Sequence, residues 1–351
     1  MNVCLELANL AKGKVSPNPL VGSVIVKNKK IIGKGYHKKS GTAHAELDAI
    51  NNSTEDLEGA TLYCNLEPCC HTNKLTPPCT KIIIEKKIKR VVVGNLDPNP
   101  YVSGNGVKIL RDNGIEVIIN VLKVKCEKLN QIFFKHISLE IPYIHLKAAI
   151  SLDGKITKNI NTSTRISNDL SNIEVHELRN EYDSILIGIN TAIIDNPSLT
   201  IRLRDEKINK IPYKIVLGFK KELFTLKLFK NNPEKLVIVS DKIDESSQKL
   251  LCTSKVLIIN EVDLKIVLKE IYKLKICSIL VEGGSKVFSS FLELDLFDKI
   301  STYTAPVFYP NGVNLISNKN LSKNLEIHEP NIKILGNNIL TEGVNRVYRA
   351  G

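Results

Sequence analysis

The sequence predicts two α/β domains in tandem, and three observations carry that expectation. The chain has 351 residues, too many for one ordinary core when domains run to about 150 residues. In both halves, short runs rich in Val and Ile alternate with stretches of helical periodicity, the pattern of a sheet covered by helices. The chemistry is also unevenly placed: four of the eight cysteines fall between Cys64 and Cys79, inside the first third.

Bulk composition narrows the possible partners. The formal net charge is +12, but the lysines are spread along the whole chain among abundant Asn and Ile. This reads as compositional drift rather than a polynucleotide footprint. There is no tryptophan and only 5% aromatic residues, which leaves little to stack bases. No apolar run approaches the roughly 18 residues of a membrane span. The opening MNVCLELANLAKGK has no basic start and no apolar core, and it carries Glu6, so it does not read as a signal peptide. A cytoplasmic protein without nucleic-acid or membrane partners is expected. In a reducing compartment, a local cysteine cluster points to metal rather than to disulfides.

In order, residues 5–11 carry a short apolar periodicity that predicts a helix. Ser16-Pro17-Asn18-Pro19 ends it as a fixed loop, since neither helix nor central strand accepts two prolines. Residues 21–26 and 31–36 predict a hairpin, with His37 at its end. A helix is expected over 44–50 with Thr42 as its cap, then a strand over 61–65. A helix over 81–87 has Cys79 near its first turn, where the helix dipole favours a thiolate. A strand at 90–94, a helix at 107–112, a strand at 115–119 and one helix at 126–134 complete a mixed-sheet sandwich. The boundary is placed near residue 142, giving domains 1–142 and 143–351.

The metal cluster is the most specific signal. Thr42-Ala43-His44-Ala45-Glu46 is followed by Glu67-Pro68-Cys69-Cys70-His71 and Thr76-Pro77-Pro78-Cys79. One histidine and two cysteines supply three ligands and leave a fourth position open for water, while Glu46 is placed to carry a proton. His-x-Glu followed by Pro-Cys and a further Cys is the signature of zinc nucleobase deaminases. The nine residues between Cys69 and Cys79 depart from the short Cys-x-x-Cys spacing, and Cys70 is a spare thiol. A structural zinc or a set of buried cysteines is the alternative. His44 and Glu46 would lie roughly 200° apart on a helix, so both serve one site only if the helix begins there.

In the second half, a strand over 143–151 carries Lys147, and Asp153-Gly154 turns it. A polar helix at 169–181, a strand at 184–188 and a turn with a possible cap at Asp195-Asn196-Pro197 follow. Strands at 214–217, 236–240, 256–259 and 278–281 alternate with helices at 244–251, 263–273 and 285–292. Glu282-Gly283-Gly284-Ser285 joins a strand to a helix, as a plain tight turn or as a seat for a phosphate on backbone N–H groups. No Gly-x-Gly-x-x-Gly motif supports a Rossmann site. Arg179, on a polar helix, reads by itself as a surface residue. Lys147 is harder to dismiss, because a lysine is seldom buried without a partner.

Ser16 to Gly22, Ala43 to Glu46, Leu66 to Cys69, Thr76 to Cys79 and Asp97-Pro98-Asn99-Pro100 together resemble the bifunctional riboflavin-biosynthesis deaminase-reductases. So do Lys147 to Lys155, Asp195 to Thr200 and Val281 to Gly284. The resemblance covers nearly the whole chain. It implies a cytidine-deaminase-like α/β/α sandwich followed by a dihydrofolate-reductase-like α/β domain. The first would hydrolyse an amino group from a diaminopyrimidinone bearing a phosphoribosylamino side chain. The second would use NADPH to reduce the ribosyl group to ribityl. By this match His44, Cys69 and Cys79 bind Zn2+, and Glu46 carries the proton. Asn18 and His37, with His71 and Lys74, line the pyrimidine pocket. Ala149, Arg165, Thr191, Asp195 and Gly284 face NADPH; Ser163, Arg179, Leu199, Arg202 and Glu282, with Lys147, face the phosphorylated substrate. Two departures stand out: the Cys70–Leu75 loop is one residue longer than usual, and Arg165 replaces a common tryptophan. A homo-oligomer is expected. Weighed against this reading are a single-activity base deaminase with a binding module, and a zinc-stabilised nucleotide-binding protein.

Overall fold

The computed structural model describes residues 1–70, 77–204, 210–317 and 324–345. The chain divides into two compact units, the first covering Met1–Glu140 and the second starting at Ile141.

The first unit runs α1 (Asn2–Asn9), β1 (Gly22–Lys27), β2 (Lys30–Tyr36), α2 (Ala45–Asn51), β3 (Thr61–Cys64), α3 (Cys79–Glu85), β4 (Arg90–Val93), α4 (Asn105–Asp112), β5 (Glu116–Ile118), α5 (Lys123–Leu129) and α6 (Gln131–Leu139). Its five strands lie in the order β2-β1-β3-β4-β5. β1 is antiparallel to β2 and β3, and β3, β4 and β5 are parallel. Apolar runs such as Val91-Val92-Val93 suit strands buried on both faces. Ile25, Leu62, Ile83, Val91 and Leu110 form the core between sheet and helices.

One local feature seats α2. A Cβ on Gly35 would lie 2.2 Å from Ala49 N and 2.6 Å from Ala45 O, and one on Gly33 would lie 2.5 Å from Ala49 O. These two glycines let α2 lie flat on β2, which fixes where its first turn points.

Two sequence expectations need correction here. Thr42 does not cap α2: its hydroxyl donates to Lys39 O at 2.7 Å, and His44 itself is the N-cap, extended at φ −70° and ψ 161°. The single helix expected over 126–134 is two helices, because Asn130 leaves helical geometry at φ −106° and ψ 18°.

The second unit continues with β6 (Tyr143–Ser151), β7 (Lys155–Thr157), α7 (Asp169–Glu181), β8 (Ser184–Gly188), α8 (Ile189–Asp195), β9 (Tyr213–Leu217), α9 (Lys227–Lys230), β10 (Leu236–Val239), α10 (Glu245–Thr253), β11 (Leu257–Ile259), α11 (Leu264–Lys273), β12 (Ser278–Val281), α12 (Ser285–Glu293), β13 (Lys299–Ala305), β14 (Val313–Asn314), β15 (His328–Leu335) and β16 (Asn338–Val344). Nine strands form one sheet in the order β11-β10-β9-β8-β12-β6-β13-β16-β15. It is parallel from β11 to β13, and the β15–β16 hairpin closes it antiparallel. β7 and β14 pair separately. Ile144, Leu146, Ile279 and Phe291 pack in one apolar cluster, and Ile185, Ile187, Val216 and Ile238 in another. Asn168 caps α7, its side chain accepting from Ser171 N. The expected turn cap at Asp195-Asn196 is instead the end of α8, where Asn196 takes the left-handed C-cap conformation at φ 40°. Both domains are therefore α/β, as expected.

Candidate active sites

The first site forms where α2 and α3 begin. His44, as N-cap, is outside the helix and free of its angular constraint, so its ring and the Glu46 side chain serve one place. Cys79 opens α3 directly after Pro78, and Cys69 ends the loop that leaves β3. His44 Nδ1 lies 3.4 Å from Cys69 Sγ and 3.3 Å from Cys79 Sγ, and the two sulfurs are 3.5 Å apart. Tetrahedral zinc, with Zn–S about 2.3 Å and Zn–N about 2.0 Å, sets its ligand sulfurs about 3.8 Å apart and sulfur and nitrogen about 3.5 Å apart. The donor set and its spacing fit zinc. Among the described residues these three are the group positioned to hold a metal ion. Cys70 is outside the group and donates to Tyr101 O at 3.6 Å.

Burial and mutual proximity set the electrostatics of this group. Contact with Cys69, then burial, pushes the Cys79 thiol well above its ordinary value. Two such sulfurs become thiolates together only when a positive charge sits between them. Burial first, then the charge of Cys69, also raises the Glu46 carboxyl, while His44 pulls the other way. Glu46 is buried and hydrogen-bonds toward Cys79.

Asn18 and His37 join this site. Asn18 Nδ2 lies 3.0 Å from His37 Nε2, and His37 Nδ1 lies 3.1 Å from Ala43 O, one residue before His44. The His37 and His44 rings meet edge-on with centroids 5.7 Å apart. His71 and Lys74 lie outside the described residues. Sequence reading assigned no role to Glu67, whose buried carboxylate accepts N–H bonds from Asp97 (3.2 Å), Gly104 (3.0 Å) and Val107 (3.0 Å). It ties the loop before Cys69 to the start of α4. The one available hint was an acid between Leu66 and Pro68, where the chain is otherwise apolar.

The second site lies at the carboxyl ends of the parallel strands, the usual ligand edge of such sheets. β12 runs between β8 and β6, with Val281 opposite Leu146, so Glu282 emerges beside Lys147. Arg179 grips Glu282 with both arms of its guanidinium, Nε to Oε1 at 2.5 Å and Nη2 to Oε2 at 2.8 Å, and Nη1 donates to Thr200 O at 3.1 Å. Lys147 Nζ is 3.6 Å from the same carboxylate and 5.6 Å from the Tyr303 ring centroid. Burial alone would raise the Glu282 carboxyl, but the Arg179 and Lys147 charges hold it at about 2. Burial lowers Lys147, and Glu282 offsets part of that.

Arg202 flanks this cluster. Its backbone N and its Nε lie 3.2 Å from the two ring nitrogens of His176. Burial, then Arg179 and Arg202, depresses His176 to about 4, so the ring is neutral. His176 and Tyr303 were not foreseen. His176 could have been found three residues before Arg179 on one helix face, whereas Tyr303 depends on the β13–β6 pairing.

The remaining expected residues divide. Thr191 and Gly284 come together: a Cβ on Gly284, which has φ +75°, would lie 2.5 Å from Thr191 Oγ1. Ser163 hydrogen-bonds Asp195, whose carboxyl burial raises. Ala149 lies on β6 opposite Tyr303 of β13. Arg165 is exposed and paired with Asp169 across one turn. Leu199 turns its side chain into the apolar core. It is 4% exposed, has φ 48°, and packs with Ile185 and Ile187, so only its backbone is available to a ligand.

Residues 1–95 match the cytidine and deoxycytidylate deaminase zinc-binding region, and residues 142–341 match the RibD C-terminal domain. The riboflavin biosynthesis protein RibD of Aquifex aeolicus is 39% identical over 344 residues, covering 97% of this chain and 96% of that one. The chain belongs to the RibD family. It is a bifunctional enzyme of riboflavin biosynthesis that joins a zinc-dependent deaminase domain to a reductase domain. Zn2+ and NADPH fit the two domains of this RibD-family chain. Acinetobacter baumannii RibD superposes with a TM-score of 0.90 at 31% identity, over 98% of this chain and 97% of that one. A Thermotoga maritima diaminohydroxyphosphoribosylaminopyrimidine deaminase/5-amino-6-(5-phosphoribosylamino)uracil reductase does so with 0.88 at 36% identity, over 99% and 97%. Among the described residues, no helix is long and apolar enough to cross a membrane.

Proposed function

We propose that residues 1–142 deaminate a diaminopyrimidinone carrying a phosphoribosylamino side chain, and that residues 143–351 reduce that side chain with NADPH to the ribityl form. The observation that carries the first half is the His44, Cys69 and Cys79 donor triangle, with sides of 3.3–3.5 Å, beside a buried Glu46. His44, Cys69 and Cys79 hold the metal. When bound, zinc supplies the Lewis acidity that makes water a nucleophile near neutral pH. Glu46 takes a proton from the attacking water and passes it to the ring nitrogen, then takes the remaining proton from the added hydroxyl as the carbonyl forms and delivers it to the amine that leaves as ammonia. Its raised carboxyl suits a group that must both accept and return a proton. Asn18 and His37 meet the pyrimidine edge.

In the reductase domain, Ala149, Arg165, Thr191, Asp195 and Gly284 contact the cofactor. When bound, NADPH supplies the hydride. Lys147 then furnishes the proton that must follow the hydride onto the opened sugar, since burial already eases its loss. Glu282 orients Lys147, and Arg179 holds Glu282. Arg202 presents its exposed guanidinium to the phosphate, with Ser163 and the Leu199 backbone completing that pocket. Cys69 and Cys79 come together with His44 as a metal-ligand group, which supports a reducing, cytoplasmic setting. Self-association into a homo-oligomer is part of the proposal, and light scattering measures it.

A coupled assay tests the whole reading. Purified, zinc-loaded protein given the diaminopyrimidinone releases one equivalent of ammonia, then consumes one of NADPH. Ammonia release without NADPH consumption contradicts the reductase half, and NADPH consumption when the deaminated compound is supplied, with no ammonia released from the diaminopyrimidinone, contradicts the deaminase half.

A further inference from the structure

Asn130 closes α5 and opens α6, and this break frees its side chain from any helix. The residue is 3% exposed. Its Oδ1 accepts the Leu20 N–H at 2.7 Å, and its Nδ2 donates to Leu20 O at 2.9 Å. Asn65, fully buried beyond β3, donates to the same carbonyl at 2.9 Å and accepts the Gly22 N–H at 2.7 Å. The stretch entering β1 is thus held by two amide side chains where a neighbouring strand would otherwise satisfy its backbone.

That stretch ends the Ser16-Pro17-Asn18-Pro19 loop. Pro17 and Pro19 fix φ on either side of Asn18, so a shift at Leu20 passes to Asn18 with little slack. Asn18 in turn meets His37. With Nδ1–H given to Ala43 O, the His37 Nε2 lone pair faces Asn18, which must present its NH2 and turn its Oδ1 elsewhere.

We infer that Asn130 is a positioning residue for the deaminase pocket, acting through the Leu20 peptide on Asn18. The inference rests on the proposed role of Asn18 at the pyrimidine edge. A residue that only packs would lower stability and leave the kinetics of the folded enzyme alone. A positioning residue changes kinetics, and its effect vanishes once Asn18 is removed.

The test uses the full, zinc-loaded chain as Asn130→Ala, Asn18→Ala and the double variant, with Asn130→Asp as a second probe that keeps an acceptor for the Leu20 N–H but no donor for its carbonyl. Deaminase kcat and KM are measured on the diaminopyrimidinone, with zinc content and reductase rate as internal controls. Asn130→Ala should lower deaminase kcat/KM about 10–100-fold, chiefly through KM, with zinc content and reductase rate at wild-type levels. Asn130→Asp should fall between. In the Asn18→Ala background, Asn130→Ala should add less than about 2-fold, because two residues acting through one contact are not additive. The inference is overturned if the two effects multiply, if both Asn130 variants match the wild type, or if they lose zinc. If Asn18→Ala itself leaves deamination unchanged, the pocket role of Asn18 fails and takes the inference with it.

Discussion

Replacing Glu282 by Gln removes the negative charge between Arg179 and Lys147. The carboxylate makes bonds of 2.5 and 2.8 Å with Arg179 and lies 3.6 Å from Lys147. Its pKa falls from the usual 4.5 to about 2 even though burial alone pushes it up. A drop of about 2.5 corresponds to about 3 kcal/mol favouring the charged form. Glutamine keeps an acceptor for one arm of Arg179 but sets an NH2 against the other, and it leaves two buried cations facing each other. Breaking a buried pair in this way costs about 3–5 kcal/mol. The variant should lose about 3 kcal/mol of stability in the second unit, together with most reductase turnover. Hydrogen-exchange protection of β12 peptides, read against denaturant, reports the first quantity, and NADPH consumption reports the second. The pH dependence follows the same sign. A depressed carboxyl stabilises the fold fully above pH 4.5, and that contribution is lost as pH falls toward 2, so this step should be missing from Glu282→Gln. A variant within about 1 kcal/mol of wild type, or one that keeps the acid step, would refute the argument.

Further outcomes follow from other groups. Gly35→Ala forces a Cβ to within 2.2 Å of the Ala49 backbone nitrogen, so α2 must shift; stability of the first unit should fall by about 1–3 kcal/mol, and deaminase activity should drop while NADPH consumption on the deaminated compound stays normal. Chelation of the zinc-loaded protein should abolish ammonia release and spare the reductase, and added zinc should restore it. His176, held at about 4 against an ordinary 6.5, is neutral in the fold and protonates more readily once unfolded, so stability of the second unit should rise between pH 4 and 6.5. Thermal melts across that window should be flatter for His176→Gln.

The metal site was legible because all three donors and Glu46 fall within 36 residues and both cysteines directly follow prolines. The Thr42 cap was misplaced because a histidine at the N-cap is uncommon; the His44 ring meets Cys69 and Cys79 instead of capping the helix. Most strands of both sheets read out as Val- and Ile-rich runs, but β13 (Lys299–Ala305), like β15 and β16, did not. Its Thr and Ser residues alternate without a strong apolar face, and its partners β6 and β16 are far away in sequence. Tyr303 beside Lys147 was lost with it. Arg179 read as a surface residue on a polar helix, yet its side chain is only 14% exposed, because the helix presents that one residue to a carboxylate some hundred positions later. Local periodicity does not report a contact of that range.

The proposed deamination requires zinc on His44, Cys69 and Cys79 and proton transfer through Glu46. Zinc content and ammonia release of Glu46→Gln, measured on one preparation, test it most directly. The variant should hold one zinc per chain, keep its reductase rate, and release ammonia at least about 100-fold more slowly, the lower range for a lost general acid–base. Ammonia release near the wild-type rate, with zinc retained, would contradict it.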